Sequence, residues 1–244
     1  MARGAKPKPE AIMAKNTSPR GSSLKVRVKT ARGRTPSQKA WLERQLNDPF
    51  VAEARKLGYR ARSAFKLLEI DDRYKLLKPG MRVVDLGAAP GSWTQVCVAR
   101  TGADKGKGRV IALDMHGMDP IVGATIFKQD FLEEDAPEKL FAELGGEKAD
   151  AVISDMAAHA TGHRQTDHLK IMALCEAAVE FAQEVLKPGG FFLCKVLRGG
   201  TEGELLAQLK RDFAVVRHIK PKASRDDSAE LFVLATGFRG GAQV

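Results

Sequence analysis

No apolar run in this 244-residue sequence approaches the eighteen or so residues needed to cross a bilayer, and its opening residues are basic and proline-containing, without a signal-peptide core. These absences predict a soluble chain. Cysteine is scarce too. Cys97, Cys175 and Cys194 each lie in an apolar segment, are odd in number and lack metal-ligand spacing. That argues against a disulfide framework or a metal site and for a reducing, cytoplasmic compartment. No internal repeat is visible, and a hydrophobic content of 43% suffices for one sizeable α/β core.

Acid is what the first 39 residues lack. They hold eleven Lys or Arg against Glu10, so the whole formal charge of +10 resides there and residues 40–244 are balanced. Four prolines (Pro7, Pro9, Pro19, Pro36), few large apolar residues and no helical periodicity make residues 1–39 a leader expected to be disordered, or ordered only on a polyanion. Such an arm suits nucleic acid. A solubilising tail is the competing account, and an organellar transit peptide a weaker one.

From Ala40 the pattern turns orderly. Residues 41–46 read as a short helix, and Asp48-Pro49 supplies an N-cap and first-turn proline for the next, which Gly58 ends. Ala61, Ala64, Phe65 and Leu68 recur at helical spacing as a buried stripe, with Arg62, Lys66 and Glu69 on the other face. Strands are expected at 82–86, 109–113, 125–128, 151–155, 191–196, 215–219 and 230–235, and helices at 137–144, 167–186 and 202–213. The alternation predicts an α/β fold with a seven-stranded, mostly parallel, doubly wound sheet. The loop before the last strand is too short for a helical crossover, so that strand is expected to run antiparallel at the end of the sheet.

The segment Arg82-Val83-Val84-Asp85-Leu86-Gly87-Ala88-Ala89-Pro90-Gly91-Ser92-Trp93 runs from an apolar strand into a glycine-containing turn that opens a helix. Such turns lie at the carboxyl edge of a sheet, where α/β folds bind cofactors. The Gly-x-Gly-x-x-Gly of a dinucleotide loop is missing, and Asp85 beside the turn makes phosphate a poor guest. S-adenosylmethionine, with its ammonium, sulfonium and uncharged ribose, suits a carboxylate-flanked loop better. Asp114, Asp130 and Asp155 end later strands on the same rim. Asp114 is expected to accept ribose hydroxyls, Asp130 to meet the adenine amino group and Asp155 the ammonium, although each could simply end its strand and cap a helix.

Lys195 is the second anomaly. A central apolar strand rarely carries a lysine unless its ammonium has a partner or an opening. With Lys66, Asp155 and Glu230 it forms a candidate cluster of two cations and two carboxylates at one sheet edge. An ion-pair network tying helix to sheet would account for the same spacing.

These residues resemble the FtsJ-like family of RNA ribose 2′-O-methyltransferases, especially its bacterial large-subunit (23S) ribosomal RNA branch. The likeness runs from Trp41-Leu42 and Arg44-Gln45-Leu46-Asn47-Asp48-Pro49, through Gly58-Tyr59-Arg60-Ala61-Arg62-Ser63-Ala64-Phe65-Lys66-Leu67 and the Asp85–Trp93 turn. It continues to Met118-Asp119-Pro120-Ile121, Ser154-Asp155-Met156 and Ala229-Glu230-Leu231-Phe232. The resemblance implies a Rossmann-like, S-adenosylmethionine-dependent methyltransferase fold. It places the family's Lys-Asp-Lys-Glu tetrad on Lys66, Asp155, Lys195 and Glu230, with Lys195 the base acting on the ribose hydroxyl. Gly91, Trp93, Asp114, Asp130 and Asp155 are implied to hold S-adenosylmethionine.

The implied substrate is a uridine in the aminoacyl-tRNA-binding loop of 23S ribosomal RNA, within the large ribosomal subunit or its precursor. A cytoplasmic monomer without a membrane partner is expected. The alternatives are a transfer-RNA ribose methyltransferase and a non-enzymatic RNA-binding assembly factor. A cytosine-5 methyltransferase would need a cysteine nucleophile near the fourth strand, and an amino-group methyltransferase an Asn or Asp followed by Pro-Pro-aromatic; Ser154-Asp155-Met156-Ala157 supplies neither. Two departures stand out: Ala158-His159 replaces an expected Pro-Asn, and the leader exceeds the short basic start of the branch. A lysine with the ordinary pKa of about 10.4 is almost wholly protonated at neutral pH, so Lys195 serves as base only if Lys66 and burial lower that value, which Asp155 and Glu230 oppose.

Overall fold

The computed structural model describes residues 27–28, 33, 35–158, 162–198, 203–225 and 228–240, which fall into two units, 1–48 and 49–244. In the first unit, α1 (Pro36–Leu46) starts well before residue 41. Thr35 Oγ1 accepts the Gln38 N–H at 3.2 Å, Gln38 Oε1 accepts the Thr35 N–H at 2.9 Å, and Pro36 takes the first helical position. This reciprocal cap satisfies two orphan donors, so the helix nucleates there and absorbs the last residues of the basic 1–39 segment. Most of that segment, with the disorder expected of it, lies outside the described residues.

The second unit opens with α2 (Pro49–Leu57) and α3 (Ala64–Tyr74). The buried positions of α3 are Ala64, Leu67, Ile70 and Asp71, whereas Phe65 and Leu68 are only half-buried and Ala61 precedes the helix. The expected stripe is therefore corrected. Asp71 supplies the reason: its carboxylate accepts the Leu77 N–H at 2.8 Å and pairs with Arg100 at 3.1 Å. A count of apolar residues cannot register a charged side chain buried for its hydrogen bonds.

The sheet comprises β1 (Arg82–Leu86), β2 (Arg109–Asp114), β3 (Ala124–Lys128), β4 (Ala149–Ser154), β5 (Leu186–Leu197), β6 (Phe213–Ile219) and β7 (Glu230–Phe238). Their order is β3-β2-β1-β4-β5-β7-β6. The first five are parallel neighbours, and β7 runs antiparallel to both β5 and β6. The reversed strand is thus last in sequence but sits inside the sheet, because β6 crosses over first and takes the edge. Helices α4 (Ser92–Thr101), α5 (Ala136–Glu143), α6 (Arg164–Val185) and α7 (Glu204–Asp212) complete the layers. Among the described residues, no helix is long and apolar enough to cross a membrane.

Alternation along each strand assigns residues to opposite faces. Val83, Val110, Ile153, Leu193 and Phe232 pack with α3 and α4, while Val84, Ile111, Val152, Phe192 and Val196 pack with α5, α6 and α7. Lys195 shares parity with Leu193, so it projects toward the α3 and α4 layer that carries Lys66. Glu230, Phe232 and Lys195 then lie on one face, since Phe232 pairs with Lys195 and Glu230 with Leu197 across the ladder.

Candidate active site

The turn after β1 is shaped by two glycines with left-handed φ, Gly87 at 73° and Gly91 at 101°. A Cβ on Gly87 would fall 2.7 Å from the Met156 backbone, so only glycine lets this turn approach the chain leaving β4. The Gly87 and Ala88 N–H groups donate to Leu113 O at 2.9 and 3.2 Å, joining the turn to the end of β2. Between the carboxyl ends of β1, β2 and β4 lies a cavity of about 390 Å³, walled by Asp114, Asp130 and Asp155 together with Met115, His116 and Phe131.

The three carboxylates also have local work. Asp114 Oδ2 accepts the Ala89 N–H at 2.9 Å and its Oδ1 the His116 N–H at 2.7 Å, while Asp130 Oδ1 accepts the Leu132 N–H at 3.0 Å. Each oxygen so used retains a second acceptor direction. Behind them Asp85 is fully buried; Thr94 Oγ1 donates to its Oδ2 at 2.7 Å and its Oδ1 has no protein partner. Burial, reinforced by the charges of Asp155 and Asp114 and opposed by the Thr94 hydrogen bond, pushes the Asp85 carboxyl up to about 7. A cavity walled by three acids with an incompletely satisfied fourth beneath it disfavours phosphate and fits a cationic nucleoside such as S-adenosylmethionine.

The Asp85 shift has a measurable sign. Between the ordinary 3.8 and about 7 the folded protein keeps a proton that the unfolded chain releases, so this group lowers stability as pH rises through that window. The effect is at most ~4 kcal/mol. Asp85→Asn should lose less stability than the wild type between pH 4.5 and 8 in urea unfolding. Identical pH dependence of the two proteins would show that Asp85 does not titrate there.

The tetrad assembles as two ion pairs. Lys66 Nζ on α3 donates to Glu230 Oε2 at 2.7 Å and lies 5.6 Å from the centre of the Phe232 ring. Lys195 Nζ donates to the Asp155 backbone carbonyl at 2.6 Å and lies 3.1 Å from Asp155 Oδ1, a charge contact without hydrogen-bond geometry. Lys195 is buried, and both members of the Lys66–Glu230 pair are largely so. Ser224, which no motif singled out, donates to Glu230 Oε1 at 2.8 Å from the β6–β7 loop.

Trp93 and Gly91 are placed differently. The Trp93 side chain is core: only 2% exposed, with Nε1 donating to Ser63 O at 2.8 Å and the ring 5.5 Å from that of Phe232. Only its backbone is left to meet a cofactor. Gly91 is the N-cap of α4, and among the described residues neither Gly91 nor Trp93 lines the cavity. The cavity also has an apolar wall of Met115, Phe131, Met156 and Leu174, none of which was among the residues expected at the site. Met115, Phe131 and Met156 each directly follow a rim aspartate, a local signal in the sequence, whereas Leu174 lies in the middle of α6 with no such neighbour.

A Plasmodium falciparum protein named as a ribosomal RNA methyltransferase has a crystal structure matching this one with a TM-score of 0.66 at 30% identity, covering 75% of this chain and 100% of that one. The fold is therefore that of the α/β methyltransferases. More narrowly, the chain belongs to the FtsJ-like methyltransferase family, which its residues 59–238 match. The ribosomal RNA large subunit methyltransferase E of Xanthobacter autotrophicus is 61% identical over 224 residues, 92% of this chain and 88% of that protein. The protein of the same name from Parvibaculum lavamentivorans is 61% identical over 228 residues, 91% and 89% of the two chains.

Proposed function

We propose that this methyltransferase transfers the methyl group of S-adenosylmethionine to a ribose 2′-hydroxyl of 23S ribosomal RNA, at a uridine in the aminoacyl-tRNA-binding loop of the large subunit or its precursor. The carrying observation is the double pairing of Lys66 with Glu230 and Lys195 with Asp155 on the sheet face beside the acid-walled cavity. The names of the relatives support the choice of RNA. The cytoplasm, where bacterial ribosomal subunits are assembled, is the matching compartment.

S-adenosylmethionine supplies, when bound, a methyl group on a cationic sulfonium. Asp114 would accept the ribose hydroxyls and Asp130 the adenine amino group through their remaining acceptor directions, and the backbone of Gly91 and Trp93, where the turn enters α4, would hold the turn against the ligand. Asp155 links the cofactor cavity to Lys195, since it walls the former and touches the latter through two atoms. In-line attack needs reacting atoms held about 3 Å apart, and a lysine nitrogen anchored at two points serves that demand. Lys195 Nζ would orient the 2′-hydroxyl and, as the neutral amine, take its proton while the 2′-oxygen bonds to the methyl carbon and the sulfonium–methyl bond breaks, leaving S-adenosylhomocysteine. Lys66, fixed by Glu230, places positive charge beside the same oxygen.

Incubation with labelled S-adenosylmethionine and immature large subunits, with transfer RNA in parallel, tests the assignment once the ribose methyl is mapped. Label on transfer RNA alone would move the substrate to that class. Label on neither would leave RNA binding without catalysis, as in an assembly factor.

The basic leader is proposed to grip the same RNA. Because the cap of α1 begins at Thr35, removal of residues 1–34 takes ten of the eleven cations and should leave the remaining chain folded and able to bind cofactor. If three of those cations meet phosphates, the slope of log affinity against log salt should flatten by about 2 to 3 on deletion. Equal slopes for the two proteins would assign the leader to solubility or targeting.

A further inference from the structure

Two of the sequence motifs, Gly58-Tyr59-Arg60 and Met118-Asp119-Pro120-Ile121, have no place in the chemistry above, yet the fold brings them together over the cofactor turn. Arg60 Nη1 donates to Pro90 O at 2.9 Å and to Asp119 O at 2.8 Å, and its Nη2 donates to Pro120 O at 2.9 Å. One guanidinium thus ties three backbone carbonyls from two loops far apart in sequence. Its own backbone is fixed in turn: Gln95 Oε1 accepts the Arg60 N–H at 2.9 Å, and Gln95 Nε2 donates to Gly58 O at 3.0 Å. Gln95 belongs to the first turn of α4, and its N–H donates to Gly91 O at 2.9 Å.

Gly91 shows how tight this assembly is. A Cβ there would stand 2.7 Å from Ile121 Cδ1, 2.8 Å from Arg60 Nη1 and 3.2 Å from Met118 Sδ. Both motifs therefore press on the same glycine. The turn residues Gly87 and Ala89 form one wall of the cavity, and Met115 and His116, which begin the second loop, form part of another.

We infer that Arg60 is a positioning residue for the cofactor: its guanidinium sets the spacing between the 87–91 turn and the 115–121 loop, and so the width of the cavity between them. This rests on the reading of that cavity as the S-adenosylmethionine site. A planar, forked cation suits three carbonyls in different directions, whereas a lysine ammonium is a single point and cannot span them. An arginine near a nucleic-acid cleft could instead meet a phosphate. Here both terminal nitrogens already donate to backbone oxygens, which favours positioning.

Calorimetry of S-adenosylhomocysteine binding to the full-length wild type, Arg60→Lys and Arg60→Met, each well below its melting temperature, tests the inference. Both variants should bind at least about ten-fold more weakly. Turnover of Arg60→Lys at saturating cofactor should stay within a few-fold while KM for S-adenosylmethionine rises, a split that a general loss of stability would not produce. Amide exchange at residues 87–91 should quicken in both. Gln95→Leu, which frees residues 58–60 without removing the guanidinium, should give a smaller loss in the same direction and serves if the Arg60 variants fail to fold. Unchanged cofactor affinity with weakened RNA binding would overturn the inference and make Arg60 a phosphate contact. If the wild type itself binds no S-adenosylhomocysteine, the methyl-transfer reading falls, and the exchange rates at 87–91 alone decide whether Arg60 holds the turn.

Discussion

Lys195→Met is expected to lower methyl transfer by about 10³-fold or more while leaving cofactor affinity within a few-fold, the scale set by loss of a positioned proton-transfer group. Methionine keeps the stem that fills the α3 and α4 face of β5 and removes only the ammonium, whose recorded partners are both atoms of Asp155. Asp155 loses that partner but stays at the cavity wall, because its N–H donates to Leu86 O at 3.1 Å. Single-turnover methylation and S-adenosylhomocysteine calorimetry on the same preparation separate the two effects. Near wild-type turnover would reject Lys195 as the base. A large fall in melting temperature with activity retained in the cold would assign it to an ion pair that ties strand to loop.

Asp114→Ala should weaken cofactor binding by ten-fold to a hundred-fold and also lower stability. Its two carboxylate oxygens hold the N–H groups of Ala89 and His116 and have directions to spare for ribose hydroxyls. Hydrogen bonds to a charged group are worth about 1.5 to 3 kcal/mol each, and alanine replaces none of them. Asp114→Asn separates the contributions, since an amide can keep one acceptor but presents a donor to the second N–H. It should fall between wild type and alanine in affinity. A folded Asp114→Ala protein with an unchanged dissociation constant would show that Asp114 only closes the turn.

Features carried by neighbouring residues were legible in the sequence. The apolar runs that became strands, the acid and glycine around Asp85–Gly91 and the single lysine in β5 each report a local constraint on backbone or burial. The boundaries that slipped did so where hydrogen bonding outweighed apolar count: at Thr35 and Gln38, whose side chains start α1 early, and at Asp71, whose buried carboxylate turns the face of α3. Both signals are polar, and a search for hydrophobic periodicity passes over them.

By itself the sequence determined the alternation of strands and helices, the basic and balanced portions of the chain and the chemical types available at the rim, because these depend on composition and short-range spacing. Tertiary structure decided who meets whom. Lys66 and Glu230 stand 164 positions apart and touch only because β7 enters between β5 and β6, and because strand parity turns Lys195, Phe232 and Glu230 to the side where α3 lies. It also decided that the Trp93 ring belongs to the core and that the Arg60 guanidinium joins Pro90 to Asp119 and Pro120. Such contacts follow from crossovers and packing between distant segments, and no local pattern of residues encodes the distance between two side chains.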